Sequence, residues 1–512
     1  MLTLAVSQAH AAPDTPPDKP KSIEAVTALV NRYCGSCHKV PPPTVMPKQY
    51  WPAAIEAMAD LAARRIGRAF IPDRDLRDIN AYYYGSSPEA LPMLPVHPTA
   101  DSLLTYSSSG LGKASEMPLV INIKSAALGG SSNAQFLICD GGNNEVSLLT
   151  RAGDTWQETV LAEVQVPSRT DVVDYDLDGD MDIVVAALGF FPPSDRLSGK
   201  VLLLRNSGSG KFSKEVLLEG VGRITDARAV DMDKDGDLDL AVAIFGGGEV
   251  GELAWLENAG QGKHTRHSLL KGSGALNISP VDLNADGRMD LVSLIAQEHE
   301  MVVALINRGA GKFDHVSLAR APHPMFGFTG MNLVDLDGDS DVDILFTNGD
   351  AHDLQKDPKP YHGVQWLENT GNLKFRFHDI GRFYGAATAV AGDVDADGDL
   401  DVVASSWNNY WEDSRRQSLI WFENDGKQNF SRHNIANNPS GIVSLELSDI
   451  SGNGKLDIVA GVFRMDMLTQ TIVATQEQED DEDLTQVPDN QTSSQARIIL
   501  LESNSHRDPE AR

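Results

Sequence analysis

The chain has 512 residues, 41% of them hydrophobic, enough to require more than one core. Its net charge of −30 excludes nucleic-acid binding, because no basic cluster is dense enough to neutralise a run of phosphates. No stretch approaches the roughly 20 apolar residues of a membrane span, and the three cysteines, Cys34, Cys37 and Cys139, cannot build a disulfide framework.

Residues 1–12, MLTLAVSQAHAA, read as the tail of a secretory signal, a short apolar stretch followed by Ala9-x-Ala11, and predict a soluble protein exported to the periplasm or the extracellular space. Residues 13–21 form an extended, Pro-rich lead-in. An all-α domain is predicted over residues 22–91. Ser22 is placed to cap a first helix with Ile23, Val26, Leu29, Val30 and Tyr33 on one side. A second helix carries Trp51, Ile55, Met58 and Leu61, and a third, after Pro72 and Asp73, carries Leu76, Ile79 and Tyr82. Residues 92–101, with Pro95 and Pro98 near His97, are predicted to be a linker.

The first helix runs into Cys34-Gly-Ser-Cys37-His38. Two thiols at that spacing can form thioethers with the vinyl groups of haem, and the adjacent imidazole can ligate iron. A redox dithiol would sit in a βαβ setting, and zinc would need a second ligand pair that this domain lacks. The expectation is one covalent haem c on Cys34, Cys37 and His38. For the sixth ligand Met58 is preferred to Met46, which lies only eight residues beyond His38 on a path restricted by Pro41, Pro42 and Pro43, with Pro47 just after it. An iron that is five-coordinate, or ligated by His97, stays open as the alternative. The domain resembles small monohaem cytochromes c, a likeness that implies single-electron transfer. It departs from them in being short, with no methionine between Met58 and the last helix.

From about residue 116 the texture changes to short β-rich runs with Gly, Asn and Asp turns, repeated in register. Acidic loops begin at Asp174, Asp231, Asp282, Asp335, Asp393 and Asp449, at intervals of 57, 51, 53, 58 and 56 residues. A second marker, an Asn six residues before a Phe, recurs at Asn206, Asn307, Asn369 and Asn424. Each unit reads as strand A, acidic loop, strand B, variable loop, strand C, hairpin and strand D, one blade of a propeller. Residues 118–165 form a further blade without the acidic loop, with Cys139 as a buried apolar group in its strand B. The fold class expected is mainly β: a seven-bladed β-propeller over residues 102–504, with the small cytochrome c-like all-α domain before it and a tail at 505–512. The last strand D is predicted to come from residues 102–107, which leaves no free edge in the ring.

Within the loops, alternating carboxylates and a Gly that permits a sharp turn can wrap one hard cation, as in the first half of an EF-hand loop. The candidate ligands are Asp174, Asp176, Asp178 and Asp182; Asp231, Asp233, Asp235 and Asp239; Asp282, Asn284, Asp286 and Asp290. The later loops offer Asp335, Asp337, Asp339 and Asp343; Asp393, Asp395, Asp397 and Asp401; and Asp449, Ser451, Asn453 and Asp457. A helical EF-hand is excluded because the flanks are Val and Ile runs and no Glu stands at position 12. Five carboxylates within nine residues would repel one another without a cation, so five to six Ca²⁺ ions are expected. The pattern Asp-x-Asp-x-Asp-Gly-x-x-Asp between strands resembles the FG-GAP (VCBS-type) repeats of integrin-like β-propellers. That resemblance implies structural calcium on one face and says nothing of adhesion or catalysis.

Together these features predict an exported electron carrier with a redox partner protein, the propeller serving as docking or assembly scaffold. No nucleophile, base and acid constellation stands out. A propeller oxidoreductase passing the electrons of a small-molecule substrate to the haem, and a calcium-dependent binding or matrix protein, are the alternatives. Opposite the acidic loops, His323, Phe326, Phe328, His352, Tyr361, His362, Arg382, Phe383, Tyr384, Trp407, Tyr410 and Trp411 gather from two blades. They form either an interaction surface or packing for long loops. The acidic run Glu477–Asp483 reads as a solvated insertion in the last blade.

Overall fold

The computed structural model describes residues 21–36, 38–97, 104–128, 133–192, 194–208, 210–247, 250–350, 357–464 and 495–504. The signal-like residues 1–12, Cys37, His352, the run Glu477–Asp483 and the tail 505–512 lie outside them. The chain divides into two compact units, the first ending at Ala90 and the second starting at Leu91. No helix among the described residues is long and apolar enough to cross a membrane.

The first unit holds helices α1 (Ile23–Tyr33), α2 (Trp51–Ile66) and α3 (Asp73–Ser86). The Ser22 side chain accepts the amide of Ala25 to cap α1, and Gly67 takes the left-handed conformation that ends α2. The core is built from Val26, Val30, Tyr33, Trp51, Ile55, Ile79 and Tyr83. The Trp51 and Tyr83 rings lie 4.1 Å apart. Trp51 Nε1 donates to the carbonyls of Pro43 and Met46, and the Tyr83 hydroxyl donates to that of Pro41. Prolines that cannot join a helix thus present their carbonyls to the two aromatic donors. Among the described residues of this small unit, four large apolar side chains, Ile23, Met58, Ile66 and Tyr84, remain partly exposed.

The second unit is seven four-stranded antiparallel sheets. In chain order the strands are β1 (Tyr106–Ser115), β2 (Val120–Ser125), β3 (Gln135–Asp140), β4 (Glu145–Ala152), β5 (Thr155–Glu163), β6 (Pro167–Val173), β7 (Asp182–Ala187), β8 (Gly199–Asn206) and β9 (Phe212–Val221). They continue as β10 (Ile224–Val230), β11 (Asp239–Ile244), β12 (Glu252–Asn258), β13 (His264–Lys271), β14 (Ala275–Val281), β15 (Asp290–Ile295), β16 (Met301–Asn307), β17 (Phe313–Arg320) and β18 (Phe328–Val334). The last ten are β19 (Asp343–Asn348), β20 (Gly363–Asn369), β21 (Phe375–Arg382), β22 (Ala386–Gly392), β23 (Asp401–Ser406), β24 (Leu419–Asn424), β25 (Phe430–Ala436), β26 (Ile442–Ser448), β27 (Asp457–Val462) and β28 (Gln495–Ser503). The inner strands β2, β6, β10, β14, β18, β22 and β26 contact one another around the ring. Second strands such as β11 and β15 are buried at every position, because neighbouring blades cover both of their faces.

The ring closes as expected in kind: β1, from before the first blade, is the outer strand of the last, pairing with β28. It runs over Tyr106–Ser115 rather than 102–107, since its partner sets its register and its Ser- and Gly-rich sequence has little apolar alternation. A Trp-Leu/Phe-Glu-Asn phrase recurs on three of the third strands, at Trp255, Trp366 and Trp421. Trp255, Trp366 and Trp421 lie opposite His267, His378 and His433 on the outer strands and stack on them at 4.6, 4.4 and 4.8 Å. Each imidazole is tied in turn to Glu257, Glu368 or Glu423. The predicted linker is not free over its described part. The Tyr384 hydroxyl accepts the Leu94 amide, and Arg416 donates to the Leu94 carbonyl, so residues 94–97 lie along the propeller.

Candidate metal loops and the Cys-x-x-Cys-His turn

All six acidic loops are connections between the first and second strands of a blade, and all six share one backbone. Position 4 has positive φ in each: Leu177, Lys234, Ala285, Gly338, Ala396 and Gly452. So has position 6, with Gly179, Gly236, Gly287, Gly398 and Gly454 and, in the fourth loop, Ser340 at φ 74. Two left-handed residues so close together are a strained arrangement for non-Gly side chains, and the first and last aspartates hold it. The Asp174 carboxylate accepts the amides of Asp178 and Gly179, and Asp282, Asp393 and Asp449 accept the corresponding pairs.

The ninth residue, assigned by its spacing to the metal, has a second duty. One oxygen of Asp182, Asp239, Asp290, Asp343, Asp401 and Asp457 accepts the amide of the second loop residue. The other accepts an amide at the end of the third strand, from Asn206, Asn258, Asn307, Asn369, Asn424 or Ser503. The marker asparagines are therefore part of the loop, and each of the five also donates its side-chain amide to the carbonyl before the ninth residue.

Carboxylate oxygens converge to within 4.8 Å in four loops: Asp174, Asp176 and Asp178; Asp231, Asp233 and Asp239; Asp335, Asp337 and Asp339; Asp393, Asp395 and Asp401. Among the described residues, the other candidate carboxylates join no such group: Asp182, Asp235, Asp343 and Asp397, with Asp282, Asp286 and Asp290 of the third loop and Asp449 and Asp457 of the sixth. Asn284 in the third loop, and Ser451 and Asn453 in the sixth, would bring neutral oxygens instead. Asp286 is ion-paired with Arg288, as Asp176 of the first loop is with Arg205. Burial, with neighbouring acids adding to it, raises Asp239 and Asp343 to about 6 and Asp401 to about 7. These carboxylates resist being charged without a counter-charge.

At the other motif, Cys34 closes α1, its amide bonded to Val30, and begins a 3₁₀ turn to Ser36. Burial raises the pKa of its thiol. His38 Nδ1 lies 2.8 Å from the Lys39 carbonyl. Nδ1 therefore carries the proton, leaving the Nε2 lone pair for a metal. Met58 is 48% exposed and Met46 wholly buried. Met58 thus stands apart from the packed positions Trp51 and Ile55 with which its spacing grouped it.

Part of the aromatic gathering on the opposite face is packing, while Arg382 is exposed and Tyr361, Trp407, Tyr410 and Trp411 are half-buried. Phe326, Phe328, Phe383 and Tyr384 are buried, Trp407 Nε1 donates to Gly349, and the Tyr361 hydroxyl donates to Met325. His323 and His362 are buried beside Lys359. Burial first, then Lys359, lowers His323 to about 4. The unfolded chain therefore binds a proton that the folded one refuses between pH 6.5 and 4, and stability is lost as pH falls through that window. The shift is worth about 3 kcal/mol below pH 4. Urea unfolding of His323→Phe against the parent should show a stability difference that moves in the variant's favour by this order from pH 7 to pH 4. A pH-independent difference would reject the assignment.

Residues 174–242 match the family model of the FG-GAP-like repeat. Among solved structures the chain is similar to BBS1N in its complex with ARL6DN, in crystals soaked with mercury (TM-score 0.46) and with lead (TM-score 0.43). Both are 12% identical, and each match covers 80% of this chain and 98% of the other. No curated protein sequence matches the chain.

Proposed function

We propose that the chain is an exported c-type cytochrome that transfers single electrons to or from a partner protein, with a calcium-braced propeller as its docking or assembly scaffold. The observation that carries this reading is the turn at the end of α1. Cys34 leads directly to an imidazole whose Nδ1 is held by a backbone carbonyl and whose Nε2 is left as a donor. Cys34 and Cys37 would hold the haem through thioethers, and His38 and Met58 would ligate its iron. When bound, that group supplies a one-electron iron couple. The oxygen-only loops suit calcium, and extracellular calcium modules work at affinities of about 10⁻⁴–10⁻³ M.

The test is covalency. Protein purified from an exported, maturation-competent expression should keep its haem through denaturation and acid-acetone extraction and give a c-type pyridine haemochrome. The double variant Cys34→Ala, Cys37→Ala should carry none. Met58→Ala should remove the thioether-to-iron band of the oxidised spectrum and lower the reduction potential. Complete loss of haem from the parent on extraction defeats the reading, and a band that survives in Met58→Ala but vanishes in Met46→Ala reassigns the ligand.

A further inference from the structure

A small recess lies between the extended segment 94–97 and the propeller loops around Phe383, Asn409 and Arg432, with space of about the size of one water. Its walls carry Arg415, Arg416, Arg432 and His97 and no carboxylate, although the chain as a whole has a net charge of −30.

The arginines are bonded, but mostly to neutral groups. Arg416 donates to the Leu94 carbonyl at 3.1 Å and Arg432 to the Arg382 carbonyl at 3.0 Å. Their cations lie 5.3 Å over the rings of Tyr384 and Phe383. The Nε atoms of both are buried without a hydrogen-bond partner. The nearest carboxylate, Asp413, is 3.9 Å from Arg416 Nε and is already committed to Arg415 at 2.8 and 2.9 Å. Local charge is therefore about two units positive even before His97 takes a proton. Burial, and then Arg416, lower Arg432 to about 10, the direction expected of like charges sharing a poorly solvated space. Two of the three amides in the wall are committed: Asn409 donates to Gln417, and Gln417 to Arg415.

Two half-buried cations of like sign whose Nε atoms are buried without a hydrogen-bond partner are costly, and a compact anion resolves the cost where Asp413, bonded to Arg415, does not reach. We infer that this recess binds a small monovalent anion, chloride or a carboxylate of formate size, between Arg416, Arg432 and His97. Held there, the anion pins residues 94–97 against the propeller. The inference does not rest on the haem or the calcium loops.

The experiment is ³⁵Cl NMR on the full chain, with ionic strength held constant by gluconate, which is too large for the recess. The parent should broaden the chloride line, and formate should compete the broadening away while phosphate does not. Chloride that competes only with bromide, and not with formate, identifies a halide site within the same inference. In Arg432→Gln the excess linewidth should fall at least fivefold. His97→Glu, at an exposed position that tolerates change, should do the same by supplying the carboxylate internally, and it carries the test should Arg432→Gln fail to fold. No excess linewidth in the parent, equal broadening in parent and His97→Glu, or displacement by phosphate as readily as by formate would overturn the inference.

Discussion

Replacing Arg497 by alanine is expected to cost the propeller about 3–5 kcal/mol, the usual penalty for stranding buried partners of a removed charge. Arg497 sits on β28 of the last blade and has no exposed surface. Its guanidinium reaches the first blade, where it bonds Asp140 at 2.6 Å and also pairs with Glu158, while Nε donates to the Lys113 carbonyl at 3.0 Å. Asp140 is itself wholly buried. These bonds join the two blades at which the ring closes, so the loss falls where β1 and β28 complete the circle. Arg497→Lys should recover only part of it, because an ammonium cannot reproduce the fork that spans two carboxylates. Urea unfolding at pH 7.5 measures both effects. A loss below 1 kcal/mol at pH 7.5 would mean that the cluster does not join the blades.

The nine-residue acidic pattern was legible because much of it is local: aspartates at fixed positions satisfy amides four and five residues on. What separates four converging loops from the other two was only partly legible. Asn284 and Ser451 stand in the sequence, but whether the remaining carboxylates converge depends on side-chain directions that spacing does not set. The double duty of the ninth aspartate was hidden for a different reason. Its second partner, such as Asn206 for Asp182, lies on another strand 24 positions away and meets it only once the blade is built. The marker asparagine was visible as a repeat, yet its meaning was not.

Burial was the least legible property. A run such as Arg382-Phe383-Tyr384 looks the same whether it faces solvent or fills a gap, and it is the bond from Trp407 to Gly349 and the cover given by neighbouring loops that decide. The helical unit shows the converse. Its 3.6-residue pattern located Trp51 and Ile55 correctly on the packed side, but Ile23 and Met58, from the same stripes, stay partly exposed. An amphipathic pattern states that a face seeks cover and does not state by what. The arginine recess escaped notice because its charges come from residues 97, 415, 416 and 432, which no spacing rule connects.

Removing calcium is expected to lower the melting temperature by about 10 °C. The native state alone assembles the cages, so a saturating ion adds about 2.7 kcal/mol per site at one hundred times its Kd. Four independent sites give on the order of 10 kcal/mol. Unfolding entropy of about 2.1 cal/mol/K per residue, over a unit spanning Leu91–Arg512, converts that to the stated fall. Calorimetry in excess calcium and in excess chelator measures it, and elemental analysis counts the ions. The size of the calcium-dependent increment, rather than the absolute midpoint, distinguishes the roles within a loop. Asp337 belongs to a converging group, so Asp337→Asn should lose about a quarter of the increment and change the chelated protein little. Asp343 holds the amides of Leu336 and Asn369, so Asp343→Asn should lower the midpoint in calcium and in chelator alike. Asp282 heads a loop without convergence, and Asp282→Asn should leave the increment intact while weakening both states. Identical curves with and without chelator, together with no bound metal, would remove calcium from the account. Loss of the same increment in Asp282→Asn as in Asp337→Asn would instead show that convergence of carboxylates is not what selects the sites.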